Sequence, residues 1–247
     1  MKLIVLGFLL LIAGLPAQTG KYTQIAGLPP TPSYTVNLIH EKIAVDGRLS
    51  ENAWAKAEPI TLIFPWEDQT GVKQRTTVRL LRDQNYLYAG YECEDVDITA
   101  TRENRDDPVY LDDCVEIFIK PNERTDHYFG IEMNVRGAYL DYYYPYPAKN
   151  DKTFNLEGVL IKTALRGTLN QGDDRDQGWS LEVAIPWNSL KRLADRLPPA
   201  SGDVWRAQIN RWDGTEAKGR RLSMWTPSGL KNPSPHNPER FGQLLFK

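Results

Sequence analysis

Two carboxylates stand mid-strand in apolar company, and both could do chemistry. Glu116 lies in CVEIFIK between Cys114 and Phe118 on its own parity, while Val115, Ile117 and Ile119 form the β-branched parity of a buried strand face. Glu132 has the same setting in HYFGIEMNV. There Phe129, Ile131, Met133 and Val135 make one side, and Tyr128, Gly130, Glu132 and Asn134 the other. A face of this kind mixes flat rings with fixed acceptors, and its glycine leaves room for a ligand to approach. Sugars suit it: their C–H faces stack on aromatic rings, and their hydroxyls donate to carboxylates and amides. Solvation alone would also account for polar residues on an outward face. A third use is glycoside hydrolysis, with one carboxyl as acid and the other as nucleophile or base, about 5–5.5 Å apart for retention or 6.5–9.5 Å for inversion. No local motif singles out Glu116 and Glu132 for that role.

Other chemistry is thinner. His40, His127 and His236 are scattered and lack metal spacing, and Met133 falls on the apolar parity, so no haem is expected. No phosphate-cradling glycine loop, nucleophile elbow or thiol–imidazole motif is present. Acidic clusters at Glu92, Glu94, Asp95 and Asp97, at Asp106 and Asp107, and at Asp112 and Asp113 could hold calcium through oxygen ligands, or could be solvated loop charge.

The elements that must position these groups are short strands. Candidates are TTVRLLRD, YLYAGYECED, CVEIFIK, HYFGIEMNV, AYLDYYY, GVLIKTAL, GWSLEVAIP, VWRAQINRW and FGQLLF, broken by Gly, Pro, Asn and Asp. Gln84-Asn85 and Arg136-Gly137 are turn signals between neighbouring strands. Two stretches, ENAWAKA and SLKRLADR, could form about two helical turns each. The pattern predicts an all-β fold: an antiparallel β-sandwich, immunoglobulin-like or jelly-roll, with one or two short helices.

The 247 residues carry 30 Lys and Arg against 32 Asp and Glu, a formal net charge of -2 that gives no electrostatic case for nucleic acid or an anionic membrane. At the start, Lys2, an apolar run from Leu3 to Leu15 and small Ala17 read as an export signal over residues 1–17. The run is too short to span a bilayer comfortably, so no membrane insertion is expected after cleavage, and the protein would be secreted, periplasmic or held in the cell envelope. Residues 18–33 read as a flexible leader and 34–247 as one domain. Export permits a disulfide between Cys93 and Cys114, although opposite strand parities would require a bulge or a strand end to bring them together.

Five stretches together resemble the family 9 carbohydrate-binding modules and the wider DOMON-like group. They are IAVDGRLSENAWAKA, VRLLRDQNYLYAGYECED, YLDDCVEIFIKP, GWSLEVAIPWNSL and NPERFGQLLF, in the family's order and spanning nearly all of the domain. The resemblance implies noncovalent binding of poly- or oligosaccharide between aromatic side chains, with calcium supporting loops. It places the first aromatic on Tyr110 and the ligand-bonding acid on Glu116. An arginine that the family can carry on the next strand is replaced by Glu132, followed by retained Asn134. The second aromatic is missing ahead of Asn237, where the chain has Pro235 and His236; His236 or a ring from elsewhere, Trp225 or Tyr146, would have to serve. The expected sugar contacts are therefore Tyr110, Glu116, Glu132, Asn134 and His236, with Trp225 in reserve. A glycoside-processing enzyme using Glu116 and Glu132, or an envelope protein docking a protein partner, are the alternatives.

Overall fold

The computed structural model describes residues 27–215 and 219–247, so the expected export signal and most of the leader lie outside the described residues. Alternating β-branched and aromatic positions make strands wherever one parity can be buried. The strands are β1 (Ser33–Leu38), β2 (Ile60–Thr61), β3 (Thr76–Arg82), β4 (Tyr86–Glu94), β5 (Cys114–Lys120), β6 (Tyr128–Asn134), β7 (Tyr139–Tyr144), β8 (Leu160–Arg166), β9 (Gly178–Pro186), β10 (Val204–Asp213), β11 (Arg221–Met224) and β12 (Gly242–Phe246). ENAWAKA contributes a 3₁₀ turn at Asn52–Lys56. The second helical expectation is met only by a 3₁₀ turn at Trp187–Leu190, which overlaps SLKRLADR at Ser189 and Leu190 alone.

These strands hydrogen-bond in the order β7-β6-β5-β10-β12-β1-β3-β4-β9-β8, with β11 beside β10 and β2 beside β3. β1 is the joint, parallel to β12 on one side and to β3 on the other. The sheet curls so that its two halves share one core. Val115, Ile117, Ile119, Phe129 and Ile131 come from one half, and Leu80, Leu87, Ala89, Leu181 and Val183 from the other, all fully buried in one cluster. Each such Val, Leu, Ile or Phe side chain stabilises the fold by roughly 1.5–3 kcal/mol. Across this core the Tyr91 hydroxyl on β4 donates to the Glu116 carbonyl on β5 at 3.1 Å. Filling one face of β5 and β6 with this core turns Glu116 and Glu132 to the other face.

Both predicted turns are built by side chains. Asp83 accepts from the N–H groups of Asn85 and Tyr86, each at 2.7 Å, which closes the β3–β4 hairpin. Asn134 accepts from Arg136 and Ala138, each at 3.1 Å, around Gly137 in the left-handed region at φ 83°.

Glu182 is one outward carboxylate that proves structural. It accepts from the N–H groups of Asp46 and Gly47 at 2.8 and 2.9 Å and from the Trp54 indole at 2.9 Å, clamping the Ile43 to Ala57 stretch onto β9. Cys93 and Cys114 are separate buried thiols: Cys93 faces the shared core and Cys114 the aromatic cluster on the opposite side of β5.

Candidate functional site

The register of the β7-β6-β5-β10 half sets the floor of the site. Asn210, Glu116, Glu132 and Leu140 are successive partners across β10, β5, β6 and β7. The next outward row is Gln208, Phe118, Gly130 and Tyr142. Gly130 is required here, because an added Cβ would lie 2.6 Å from the Tyr142 ring, which crosses it. Glu116 and Glu132 are thus directly opposed beneath a cavity of about 420 Å³, together with Tyr110, Tyr142, Lys152, Trp212, Arg220 and His236 in its lining.

The floor is nearly sealed: Glu116 is 1% exposed and Glu132 5%. Burial is the main cause that raises Glu116 well above the usual carboxylate range. The neighbouring Glu132 adds to it, and Arg220, Asn210 and Trp212 offset part of it. Burial likewise pushes Glu132 up to about 7 against the influence of Tyr142, Lys152 and Arg220. Asn210 donates to Glu116 through a long hydrogen bond of 3.3 Å, and Trp212 acts on it as a weaker donor. Glu132 Oε2 is buried without a hydrogen-bond partner.

Aromatic side chains line the cavity, although not as the sequence suggested. Trp212, half-buried on β10, carries the Arg220 guanidinium 4.0 Å from its ring centroid. Arg220 also donates to the carbonyl of Tyr110, which sits on the 3₁₀ turn Val109–Leu111. Trp212 is not among the expected contacts, because the resemblance places the second aromatic just ahead of the closing strand. Its parity with Asn210, opposite Cys114, was the available signal. His236 does reach the cavity, but its ring stacks on Phe118 at 5.0 Å and 8° and its Nδ1 lies 2.7 Å from the Tyr128 hydroxyl. Burial lowers its pKa to about 4, so it is a neutral part of the aromatic base.

Two expected contacts lie elsewhere. Asn134 is fully buried, and its amide donates to the Arg102 carbonyl and to Asp112 at 2.8 and 2.9 Å while its oxygen holds the β6–β7 turn. Trp225 is a core residue, edge-on to Tyr34 at 6.5 Å and lying across Gly242, where a Cβ would meet its ring at 2.5 Å. Tyr146 packs against Tyr144 beside the aromatic base.

Among the acidic groups, Asp95, Asp113 and Asp213 have carboxylate oxygens within 4.8 Å of one another. Their charge is met from within the protein. Arg211 donates to Asp95 and Asp213 at 2.8 and 2.9 Å, and Arg221 to Asp213 at 2.8 Å. Asp113 instead takes N–H groups from Thr99 and Gly214, each at 2.7 Å, and the Thr99 hydroxyl at 2.9 Å. Asp107 caps its own loop, Asp112 pairs with Arg102, and Glu92 and Glu94 pair with Arg79 and Arg75.

A curled, almost helix-free sheet that presents a cavity with an acidic floor and aromatic sides defines a binding module. The family model described as carbohydrate family 9 binding domain-like matches residues 45–247, and the chain belongs to that family. No curated protein matches the sequence. A solved structure of a candidate carbohydrate-binding protein from Bacteroides uniformis is similar in fold, with a TM-score of 0.75, 21% identity, and coverage of 88% of this chain and 100% of that one. A family 9 carbohydrate-binding module from Caldicellulosiruptor kristjanssonii in complex with cellotriose has a TM-score of 0.60 and 18% identity, covering 87% of this chain and 93% of its own. The same kind of module from that organism in complex with glucose gives 0.56 and 18%, covering 86% and 95%.

Proposed function

We propose that this protein binds poly- or oligosaccharide noncovalently in the cavity above Glu116 and Glu132, as an exported module whose fold is a β-sandwich, antiparallel apart from the two parallel pairings of β1. The observation that carries this reading is the pair of under-donated carboxylates lying at the floor, beside the Trp212 and Tyr110 rings. Sugar hydroxyls supply the donors that the floor lacks, and an indole or phenol face takes the C–H side of a pyranose. Family membership and the ligands of the similar modules support the same class. The two facing sheet halves that share one core support the sandwich description. Calcium support of loops is carried over as a proposal from the resemblance alone; at Asp95, Asp113 and Asp213 an ion would have to compete with Arg211 and Arg221 for the carboxylates. A Tm that drops with chelator would reveal it, and an unchanged Tm would remove it.

Titration calorimetry with a panel of neutral oligosaccharides tests the reading. Glu116→Ala should weaken the tightest interaction about fivefold or more, the effect of leaving a buried hydrogen bond to the ligand unmade at ~1–3 kcal/mol, while the chain still melts cooperatively. Unchanged affinity in that variant would overturn the site. Export is tested separately, by N-terminal sequencing of the protein recovered outside the cytoplasm; a retained Met1 would contradict cleavage after Ala17.

A further inference from the structure

Buried acids in this protein are otherwise well supplied with donors. Asp95 and Asp213 meet Arg211, Asp112 meets Arg102, and Asp141 meets Arg105. Asp113 and Glu182 each accept three hydrogen bonds, and Asp176 accepts from the N–H groups of Ile98 and Thr168. Glu116 and Glu132 depart from this pattern. Neither makes an ion pair among the described residues, Glu116 has one long bond from Asn210, and Glu132 Oε2 has no partner. They are register partners on β5 and β6. Their Cβ atoms therefore stand about 4.5–5.5 Å apart on one face, a spacing at which two carboxylates nearly out of water strongly resist joint ionisation.

We propose that the Glu116–Glu132 pair holds one proton in the ligand-bound state and reads a single hydroxyl group from both directions, one carboxyl accepting its hydrogen and the other donating to its oxygen. The inference rests on the carbohydrate reading of the same cavity and names the group taken there: a neutral hydroxyl in preference to an ammonium or a carboxylate. The charged and polar groups around the pair fit this state, and the buried Tyr128 and Tyr91 hydroxyls, held neutral by burial, do not oppose it. Arg220 and Lys152 favour one negative charge. Asn210 and Trp212 from β10 support it at Glu116, and Tyr142 from β7 supports it at Glu132. Cys114 on β5 stays a thiol, because burial raises its pKa, and His236 stays neutral. Because the register sets the two carboxyls side by side and burial shifts both upward, the pair keeps a proton at neutral pH.

The test is calorimetric titration of the full chain at pH 5.0 to 7.5, in buffers of differing ionisation enthalpy. The probe is the tightest binder from a neutral panel that includes cellotriose, compared with a glucosamine oligosaccharide of equal length. At pH 5.0 the pair takes up its second proton and loses its charged acceptor. Affinity for the neutral sugar should fall at least fivefold from its value at pH 7.5, with release of about one proton per ligand bound. The double variant Glu116→Gln and Glu132→Gln, verified by its melting transition, should lose that pH dependence or lose binding altogether. Affinity constant within twofold over this range, pH dependence that persists in the double variant, or tighter binding of the glucosamine probe at every pH would each overturn the proposal while leaving carbohydrate binding in place. No binding of any probe would overturn both.

Discussion

At the scale of single residues, the site separates side chains that face the cavity from those that build it. Trp212 is the ring best placed to stack on a ligand, half-exposed on the same outward parity as Asn210, with Arg220 over its face. A guanidinium already stacked on the indole makes this wall a composite, and a sugar must either slide beside the cation or displace it. Trp212→Ala should lower affinity about five- to tenfold, corresponding to ~1 kcal/mol or somewhat more of lost stacking. Fluorescence titration against the native chain would measure it, and an unchanged Kd would move the aromatic wall to Tyr110. His236 acts from below, through Phe118 and Tyr128, so its replacement should change the floor's rigidity more than its polarity.

At the scale of elements, the outward face of β5 and β6 works because one strand gives up its side chain. Gly130 lets the Tyr142 ring cross β6 next to Glu132. A Gly130→Val substitution would force that ring away, at a cost of about 1–3 kcal/mol as in overpacked cores. Chemical denaturation should show the loss in midpoint, and sugar affinity should fall with it because the cavity wall moves. The Asp46-Gly47 turn illustrates the same economy on the other half of the sheet. At φ 91°, with Thr163 backbone 2.5 Å from where a Cβ would stand, no other residue fits there without distortion, and Glu182 holds the turn down.

At the scale of the whole molecule, the two halves of the sheet are tied by charge as well as by the core. Arg211 on β10 reaches across to Thr76 Oγ1 at 3.1 Å, the Glu94 carbonyl at 2.7 Å and Asp95 at 2.8 Å. Arg211→Ala would leave Asp95 and Asp213 buried with less countercharge, a loss of about 3–5 kcal/mol. Thermal melting should show a large drop in Tm, whereas a near-native Tm would mean the acids neutralise themselves. Proton linkage also acts globally. Glu132 is raised in the folded state to about 7 from an ordinary value near 4.5, so the fold binds more protons than the unfolded chain between those values. Stability from this group is full below its unfolded pKa and is lost as pH rises through about 7. His236, lowered to about 4, works in the opposite direction as pH falls from its ordinary 6.5 toward 4. Glu132→Gln should therefore raise Tm relative to the native chain at pH 8 and have little effect at pH 5, as read by paired calorimetric scans.

Much of this was open to the sequence, and the division follows from the range of the forces involved. Strand parity is local, so the alternation in β5 and β6 by itself determined that Glu116 and Glu132 turn away from the core that Val115 and Ile131 enter. Turn chemistry is local too, which is why Gln84-Asn85 and Arg136-Gly137 could be read directly. The short strands β2 and β11 carry too few residues to show a period, and β1 takes its pairing from partners at both ends of the chain. Only the tertiary structure could decide that β5 and β6 align their two acids in register, that β10 brings Trp212 beside them, and that Asn134 and Trp225 are spent on structure. Burial and pairing among residues far apart in sequence depend on the sum of all packing, which no short window of residue types contains.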